Sequence, residues 1–180
     1  MKPEATEPRD TARTLPRVLL GGDLYKVGYV VADRDEAARA LEGAYGFEPL
    51  VRAEVRFEAV LPDGNRVETH LACALTTGRE HLIEVMQPVS GAVDLWTDAL
   101  KGPGPLLRFH NIGLLTDDLE KVKATAAQHQ LPLELSAHHE GAWSFAYHRV
   151  PLLGHLVEHI HYVGAAGDEL DRIRGLSRGF

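Results

Sequence analysis

Hydrophobic and polar residues alternate along the first half of the chain in a pattern that predicts one helix among four strands. A run rich in β-branched and aromatic residues at 24–31 predicts the first strand. Asp33 and Glu36 have the spacing of a helix-capping pair, and the alanines that follow predict a helix ending near Gly46. Three further strands are predicted at 47–60, 67–75 and 81–86, with a hairpin turn at 62–65. The first half therefore has the order βαβββ.

The same order recurs in the second half. A connecting helix is predicted around 93–100, and the glycine- and proline-rich stretch at 102–105 ends it. After a strand at 106–115, Asp117 or Asp118 can cap a second helix that continues to about Gln130. Three strands are then predicted at 131–135, 143–148 and 155–161, followed by a final helix at 168–176.

Two pairs of matched segments indicate that the halves are copies of one unit. KVGYVVAD, beginning at Lys26, and NIGLLTDD, beginning at Asn111, share a glycine at the third position and an aspartate at the eighth, 85 residues apart. Glu84 and Glu158 occupy matching places in the fourth strand of each half, 74 residues apart. The shorter second spacing indicates tighter loops in the second unit. Repeats that cannot bury both faces alone predict a fused pseudo-dimer.

These elements divide the chain into four parts. Residues 1–15 are polar and proline-bearing, which predicts a disordered tail. The first βαβββ module with its connecting helix covers 16–100, the second module covers 101–164, and a C-terminal helical tail covers 165–180. With 180 residues and 44% hydrophobic content, the chain can bury one sizeable core. The predicted fold class is α+β.

Composition excludes several classes of function. The net charge of −7, without a basic cluster, argues against nucleic-acid binding. The single cysteine, Cys73, excludes an internal disulfide and is interpreted as a small buried hydrophobe. Neither a signal peptide nor a membrane-spanning run is recognisable, so a soluble protein located in the cytoplasm is expected. The motifs of phosphate-binding loops, nucleophile elbows and paired cysteines are missing from the sequence.

Three short motifs carry a resemblance to a known family. The family pattern is a first strand that leads into a helix, then a fourth strand with an inward glutamate, and then the same again. The motifs that follow its order and spacing are LIEVMQP at 82–88, FHNIG at 109–113 and LGHLVE at 153–158. Over residues 24–162 the chain resembles the vicinal oxygen chelate superfamily, the glyoxalase and bleomycin-resistance group, and is most similar to its methylmalonyl-CoA-epimerase-like branch. The resemblance implies two tandem βαβββ modules that form a barrel-like cup. It also implies a homodimer.

In that family, four side chains from the first and fourth strands of both modules hold a divalent metal. Carried over by the resemblance, these positions are Lys26, Glu84, Asn111 and Glu158. The family has histidine or glutamine at the first of them and histidine at the third. A protonated lysine has no lone pair and repels a cation, while asparagine offers only a neutral carbonyl oxygen. No metal is therefore expected; if Zn, Fe, Mn, Co or Ni did bind, the ligands would be Glu84 and Glu158 with His110 or Asn111.

The numerous histidines suggest a metal cluster, but strand alternation argues against one. If Asn111 points into the cup, His110 points away from it unless a bulge shifts the register. The same alternation predicts that four other strand histidines point away from the cup when Glu84 and Glu158 point into it, namely His81, His155, His159 and His161.

The resemblance implies an isomerase, epimerase or lyase that transfers a proton on a small oxygenated organic substrate. Glu84 and Glu158 are the acid/base candidates, and Lys26 would supply the positive charge that a metal supplies elsewhere. The buried pairing could instead be structural repair of a lost metal site, and each glutamate could instead face solvent. Substrate contacts are predicted for Asn111, Tyr147, Phe145, Met86 and Trp143, although aromatic residues at such places are more often core. A metal-free small-molecule binding protein and a metal-dependent dioxygenase are the alternatives.

Overall fold

Eight strands and four helices make up the fold in the computed structural model, which describes Leu19 and residues 22–77 and 81–174. The strands are β1 (Asp23–Val30), β2 (Val51–Val60), β3 (Arg66–Leu75), β4 (Leu82–Gly91), β5 (Arg108–Leu115), β6 (Leu133–His139), β7 (Trp143–Val150) and β8 (His155–Tyr162). The helices are α1 (Arg34–Ala44), α2 (Asp94–Thr97) with a 3₁₀ turn (Asp98–Leu100), α3 (Leu119–Gln128) and α4 (Ala165–Ile173). The predicted tail at 1–15 lies outside the described residues.

The strands close into one barrel in the order β1-β4-β3-β2-β6-β7-β8-β5. Each half of the chain contributes four neighbouring strands, which confirms the predicted α+β class and the tandem βαβββ order. Within each half, the first strand pairs in parallel with the fourth. The glutamates of the fourth strands therefore lie directly beside the first strands, opposite Gly28 and Gly113 respectively.

Two seams of different length join the halves. β1 and β5 are antiparallel along almost their whole length. β2 and β6 pair only through Ala59 with Ala137 and Val60 with Ser136. The long seam therefore brings the first strands of both halves together, and each of these strands has the fourth strand of its own half on its other side.

Two long helices cover the outside of the barrel, and both begin at the predicted aspartates. The side chain of Asp33 accepts a hydrogen bond from the Glu36 amide at 2.9 Å, and Asp118 accepts one from the Lys121 amide at 2.9 Å. Asp118 rather than Asp117 is thus the second cap, at the eighth position of the repeat. The apolar faces of α1 and α3 pack on the outer surface of the strands. Among the described residues, none of the helices has the length and hydrophobicity needed to span a membrane.

Several predicted boundaries differ from the structure; for example, β2 begins at Val51 instead of 47, and β4 ends at Gly91 instead of 86. β6 begins at Leu133 and extends to His139 instead of covering 131–135, because Pro132 has no amide hydrogen to donate to a ladder. α4 begins at Ala165, three residues before the predicted start, directly after Gly164 with its positive φ of 53°. The part of the predicted final helix beyond residue 174 lies outside the described residues. α1 ends at Ala44, and Gly46 with a φ of 66° turns the chain, as expected of a glycine after a helix.

Candidate functional site

A cavity of about 310 Å³ lies inside the barrel. α4 closes part of it, because Ala166, Leu170 and Ile173 recur at helical spacing and line the wall. Most of the remaining wall is apolar, and six of its side chains are aromatic: Phe57, Trp96, Trp143, Phe145, Tyr147 and Tyr162. The charged exceptions are Glu169 on α4 and three side chains at one place, where the first and fourth strands of both halves meet.

At that place an ammonium group lies between two carboxylates. Lys26 Nζ is 2.6 Å from Glu84 Oε2 and 2.9 Å from Glu158 Oε2. All three side chains line the cavity, and each residue is at least nine-tenths buried. The strands bring them together because β1 has β4 on one side and β5, followed by β8, on the other. The cluster of Lys26, Glu84 and Glu158 is called the charge triad below.

Behind the triad, two further polar side chains fix the position of Glu158. The amide nitrogen of Asn111 donates to Glu158 Oε2 at 3.0 Å. The amide oxygen of Asn111 contacts His110 Nδ1 at 2.9 Å, and His110 Nε2 contacts the carbonyl oxygen of Leu95 at 3.2 Å. The His110 ring stacks on Trp96 with a centroid distance of 5.9 Å. A chain of contacts therefore connects α2 to the triad.

The position of His110 corrects the parity argument. The pairing between β1 and β5 steps from Gly28–Asn111 to Tyr29–Phe109, which leaves His110 as an extra residue in β5. This bulge lets the His110 ring lie beside the Asn111 amide and against Leu95 and Trp96 of α2, and both His110 and Asn111 are buried. The register shift that the parity argument left open is therefore present, and His110 is not among the residues that line the cavity.

The glycine of each repeat makes room for the site residue of the other. Lys26 pairs with Gly113 and Gly28 pairs with Asn111 across the long seam. A side chain at Gly28 would overlap the Asn111 amide, and one at Gly113 would come within 2.5 Å of Lys26 Cγ. The third-position glycine of the sequence repeat is thus explained by close approach between strands.

Burial and neighbouring charges shift the acid/base properties of the triad. Burial opposes the charge on Lys26, but the carboxylates of Glu158 and Glu84 outweigh this and hold its pKa well above the ordinary value. Burial raises the pKa of Glu158, an effect that the Lys26 charge opposes and that Glu84 reinforces. Burial likewise raises the pKa of the Tyr147 hydroxyl and of the Cys73 thiol, so both stay protonated at neutral pH.

The structure places most of the predicted site residues around one space. Predicted residues that line the cavity are Lys26, Glu84, Met86, Trp143, Phe145, Tyr147 and Glu158. Asn111 lies fully buried behind Glu158 instead of on the wall, so its position suits support of Glu158 better than substrate contact. His81, His155, His159 and His161 are off the cavity wall, as parity predicted.

Sequence reasoning missed several contributors. Trp96 comes from the short helix α2, where no periodicity marks an inward position. Phe57 and Ala59 lie two residues apart in β2 and therefore face the same side of the strand, which is only a weak indication that Phe57 points into the barrel. The wall residues of α4 show a regular apolar face, which indicates burial without naming the surface against which the helix packs.

The residues at the family's metal position do not fit a divalent ion. The ammonium group of Lys26 occupies the point between the two carboxylates, and the oxygen of Asn111 is already engaged by His110. Among the described residues, no three histidine, cysteine or acidic side chains are arranged to hold a metal. A protonated lysine and a divalent cation would compete for the same place.

The sequence profile of the glyoxalase/bleomycin resistance protein/dioxygenase superfamily matches residues 25–147, from the strand that carries Lys26 to the strand that carries Tyr147. The chain belongs to this superfamily. The match confirms the resemblance to vicinal oxygen chelate proteins. No curated protein matches the chain by sequence.

Solved structures share the fold at low sequence identity. A hypothetical protein from Bacillus halodurans is 14% identical, with a TM-score of 0.56, and the match covers 78% of this chain and 94% of that one. Methylmalonyl-CoA epimerase from Mycobacterium tuberculosis is 18% identical, with a TM-score of 0.53 and coverage of 87% and 97%. A methylmalonyl-CoA epimerase in complex with methylmalonyl-CoA and NH4+ is 15% identical, with a TM-score of 0.51 and coverage of 81% and 96%.

Proposed function

We propose that this superfamily member is an isomerase or epimerase that transfers a proton on a carbon next to a carbonyl group. The substrate would be a small oxygenated organic molecule in the barrel cavity. The observation that carries the proposal is the charge triad, in which Lys26 Nζ lies within 2.9 Å of both Glu84 and Glu158 on the cavity wall. A buried cation between two carboxylates combines an electrostatic stabiliser with two groups able to exchange a proton.

The proposed reaction needs only these three groups. Glu84 accepts the proton as the carbon–hydrogen bond breaks, and the electron pair moves to the carbonyl oxygen as an enolate. The ammonium of Lys26 stabilises the negative charge of that oxygen. Glu158, whose pKa burial raises, suits the role of returning a proton to the other face of the carbon. At the end of the reaction Glu84 carries a proton and Glu158 is ionised, and the substrate contains the same atoms as before.

The position of the Lys26 ammonium group supports the electrostatic role that the proposed reaction gives it. In the present chain, Lys26 carries an ammonium group on a side chain at the position that the resemblance assigns to a metal ligand. We infer that this tethered cation takes over the electrostatic part of a metal's work, which a Lewis acid otherwise performs.

Hydrogen exchange in heavy water tests the proposal directly. The protein is incubated in D2O with cyclic ketones, β-keto esters and acyl thioesters, and deuterium at the carbon next to the carbonyl is measured by NMR. Glu84→Gln should slow the exchange by about 10²- to 10⁴-fold, because it removes the accepting group. Glu58→Gln, which alters an exposed carboxylate paired with Arg66, is the matched control and should have no effect.

A binding protein is the second candidate, and one observation favours it. Both carboxylates of the triad already engage the Lys26 ammonium group, and the largely apolar rest of the wall is suited to hold an apolar molecule without altering it. If a compound binds but exchanges no hydrogen, and Glu84→Gln leaves its affinity unchanged, binding replaces catalysis as the function. A lyase or a dioxygenase that needs a divalent metal has less support, because Lys26 stands where the ion would be. A cytoplasmic location and a homodimer stay predictions.

A further inference from the structure

We propose that the cavity takes an uncharged, ring-bearing carbonyl compound and discriminates against carboxylates and coenzyme A thioesters. This inference rests on the proposed function, because it names the substrate class of the same site. It follows from the shape of the aromatic wall, the charge inside the cavity and one unpaired hydrogen-bond donor.

The aromatic wall forms a surface on which a flat ring can lie. Trp143 and Phe145 are stacked, with their ring centroids 5.5 Å apart and an interplanar angle of 30°. Phe57 meets both of them edge-on, at 6.2 Å and 5.3 Å. Such an arrangement offers ring faces and edges together, which favours aromatic or cyclic ligands over flexible chains. The volume of about 310 Å³ is at the small end of ligand cavities and suits a molecule of one or two rings.

The charge inside the cavity is unfavourable for an anion. Lys26 is the only cationic side chain among the described residues that line it, and both carboxylates of the triad already engage its ammonium group. The triad therefore has no net positive charge: it is neutral when Glu158 carries the proton that the proposed reaction needs, and negative when both carboxylates are ionised. The remaining charged residue on the wall, Glu169, is also acidic and pairs with the exposed Arg172 at 2.6 Å. A bound carboxylate would lose its hydration without gaining a free cation.

An unpaired donor indicates where a neutral oxygen could bind. Trp96 is fully buried and lines the cavity, and within the described part of the chain its indole N–H has no hydrogen-bond partner. Buried donors are rarely left unsatisfied in native proteins. The nitrogen is covered by its neighbours, so a ligand carbonyl oxygen would accept from this N–H only after the indole ring shifts toward the aromatic wall. A site of this kind orients a neutral carbonyl compound.

Calorimetric titration of the full chain with three probes tests the inference. The probes are α-tetralone, a neutral bicyclic ketone; tetralin carboxylate, which has the same rings with an anionic group; and methylmalonyl-CoA. We expect α-tetralone to bind about ten-fold or more tightly than either anion. Equal or tighter binding of tetralin carboxylate or methylmalonyl-CoA, or no binding of α-tetralone, overturns the inference.

Two variants assign the effect to the cavity. Phe145→Leu keeps an apolar residue on the wall and should weaken α-tetralone binding about ten-fold, because a ring face is lost. Phe109→Leu is the matched control, since Phe109 is 44% exposed and lies outside this cavity. It should leave the affinity unchanged. An equal loss in both variants, with thermal unfolding showing both to be folded, contradicts the cavity assignment.

The outcome is separable from that of the proposed function. If α-tetralone binds but shows no hydrogen exchange in D2O, the substrate class stands as a ligand class and the enzymatic function fails. If exchange occurs only with anionic thioesters, the enzymatic function stands and the substrate class fails.

Discussion

At the scale of single residues, Lys26 determines the character of the site. Its side chain is nearly fully buried, yet two carboxylates compensate for the lost hydration of its charge. Such buried ion pairs contribute little net stability, but losing one member is costly because the remaining charges have no partner. The triad is therefore more important for the arrangement of charge in the cavity than for the free energy of folding.

Removing the lysine charge should therefore cost more stability than the intact ion pairs contribute. Lys26→Met leaves two buried carboxylates facing each other, so we expect the free energy of unfolding to fall by about 3–5 kcal/mol at pH 8. At pH 5 the loss relative to wild type should be smaller, because protonation of a carboxylate relieves the repulsion. Urea unfolding of both proteins at the two pH values measures the difference.

A surface lysine provides the control for this change. Lys101 contacts Asp98 at 2.6 Å, but both side chains are more than 60% exposed. Lys101→Met should therefore lower the free energy of unfolding far less than Lys26→Met does. A pH-independent loss in Lys26→Met, or a loss no larger than that of Lys101→Met, would show that the triad is not paired as described.

The residues of the triad and Asn111 were predictable from the sequence, whereas the positions of Trp96 and His110 were not. Lys26 is equivalent to Asn111 in the repeat and Glu84 is equivalent to Glu158, and equivalent strand positions meet when two copies pair. Trp96 has no counterpart in the repeat, and the position of His110 depends on a bulge. Both are decided by tertiary packing, which a single sequence does not display.

At the scale of elements, the seam between β1 and β5 imposes the tightest steric requirement. Each of these strands presents a polar side chain, Lys26 or Asn111, and, two residues later, a glycine. Antiparallel pairing then places the polar side chain of one strand against the glycine of the other. The distance between the strands allows no second side chain at either place.

A single methyl group on this seam should displace the triad. A Cβ atom at Gly113 would lie 2.5 Å from Lys26 Cγ and 2.7 Å from Tyr25 Cε1, both in a fully packed region. We expect Gly113→Ala to lower the free energy of unfolding by about 1–3 kcal/mol through overpacking. Chemical denaturation measures this loss.

Gly43→Ala is the matched control for the methyl group. Gly43 lies within α1, and a Cβ atom there would meet nothing within 4 Å. The substitution should stabilise the protein by about 1 kcal/mol or less, because alanine favours a helix over glycine. The changes in the free energy of unfolding should have opposite signs in the two variants. A loss of stability in both would show that the chain does not tolerate an added methyl group at either place.

At the scale of the whole molecule, the agreement of local signals made the architecture predictable. Caps at Asp33 and Asp118, alternating strands and the repeat all favour the same tandem βαβββ order. The closure between β2 and β6 was not predictable, since only two residue pairs form it and neither strand carries a distinctive motif. The contribution of α4 to the cavity wall likewise follows from packing between distant parts of the chain.

Two buried histidines outside the cavity should govern the acid stability of the whole barrel. His148 and His159 lie with their rings 5.7 Å apart, near α3. Burial, together with the charge of Lys123, lowers the pKa of His148 to about 4, and burial with the nearby His148 ring lowers that of His159 to about 4. Both rings are therefore neutral in the folded protein at neutral pH.

Stability should accordingly fall as the pH decreases from 6.5 to about 4. In this interval the unfolded chain, whose histidines have an ordinary pKa of 6.5, takes up protons that the folded state does not. The cost reaches about 3 kcal/mol for each histidine by pH 4. Urea midpoints measured between pH 7 and pH 4 test this.

The double variant His148→Leu with His159→Leu should show a much shallower decline over the same pH range. His138→Leu, at an exposed position of β6, should decline as steeply as wild type. An unchanged slope in the double variant would assign the acid sensitivity to other groups.

The reciprocal fit of β1 and β5 also bears on how such a site can arise. In a symmetric dimer of one repeat, the same residue would stand at both the Lys26 and the Asn111 positions. Two lysines would bring two ammonium groups together, and two asparagines would leave the glutamates without a cation. Covalent fusion of the repeats breaks this symmetry, so that one half supplies a single positive charge and the other supplies the amide that orients Glu158.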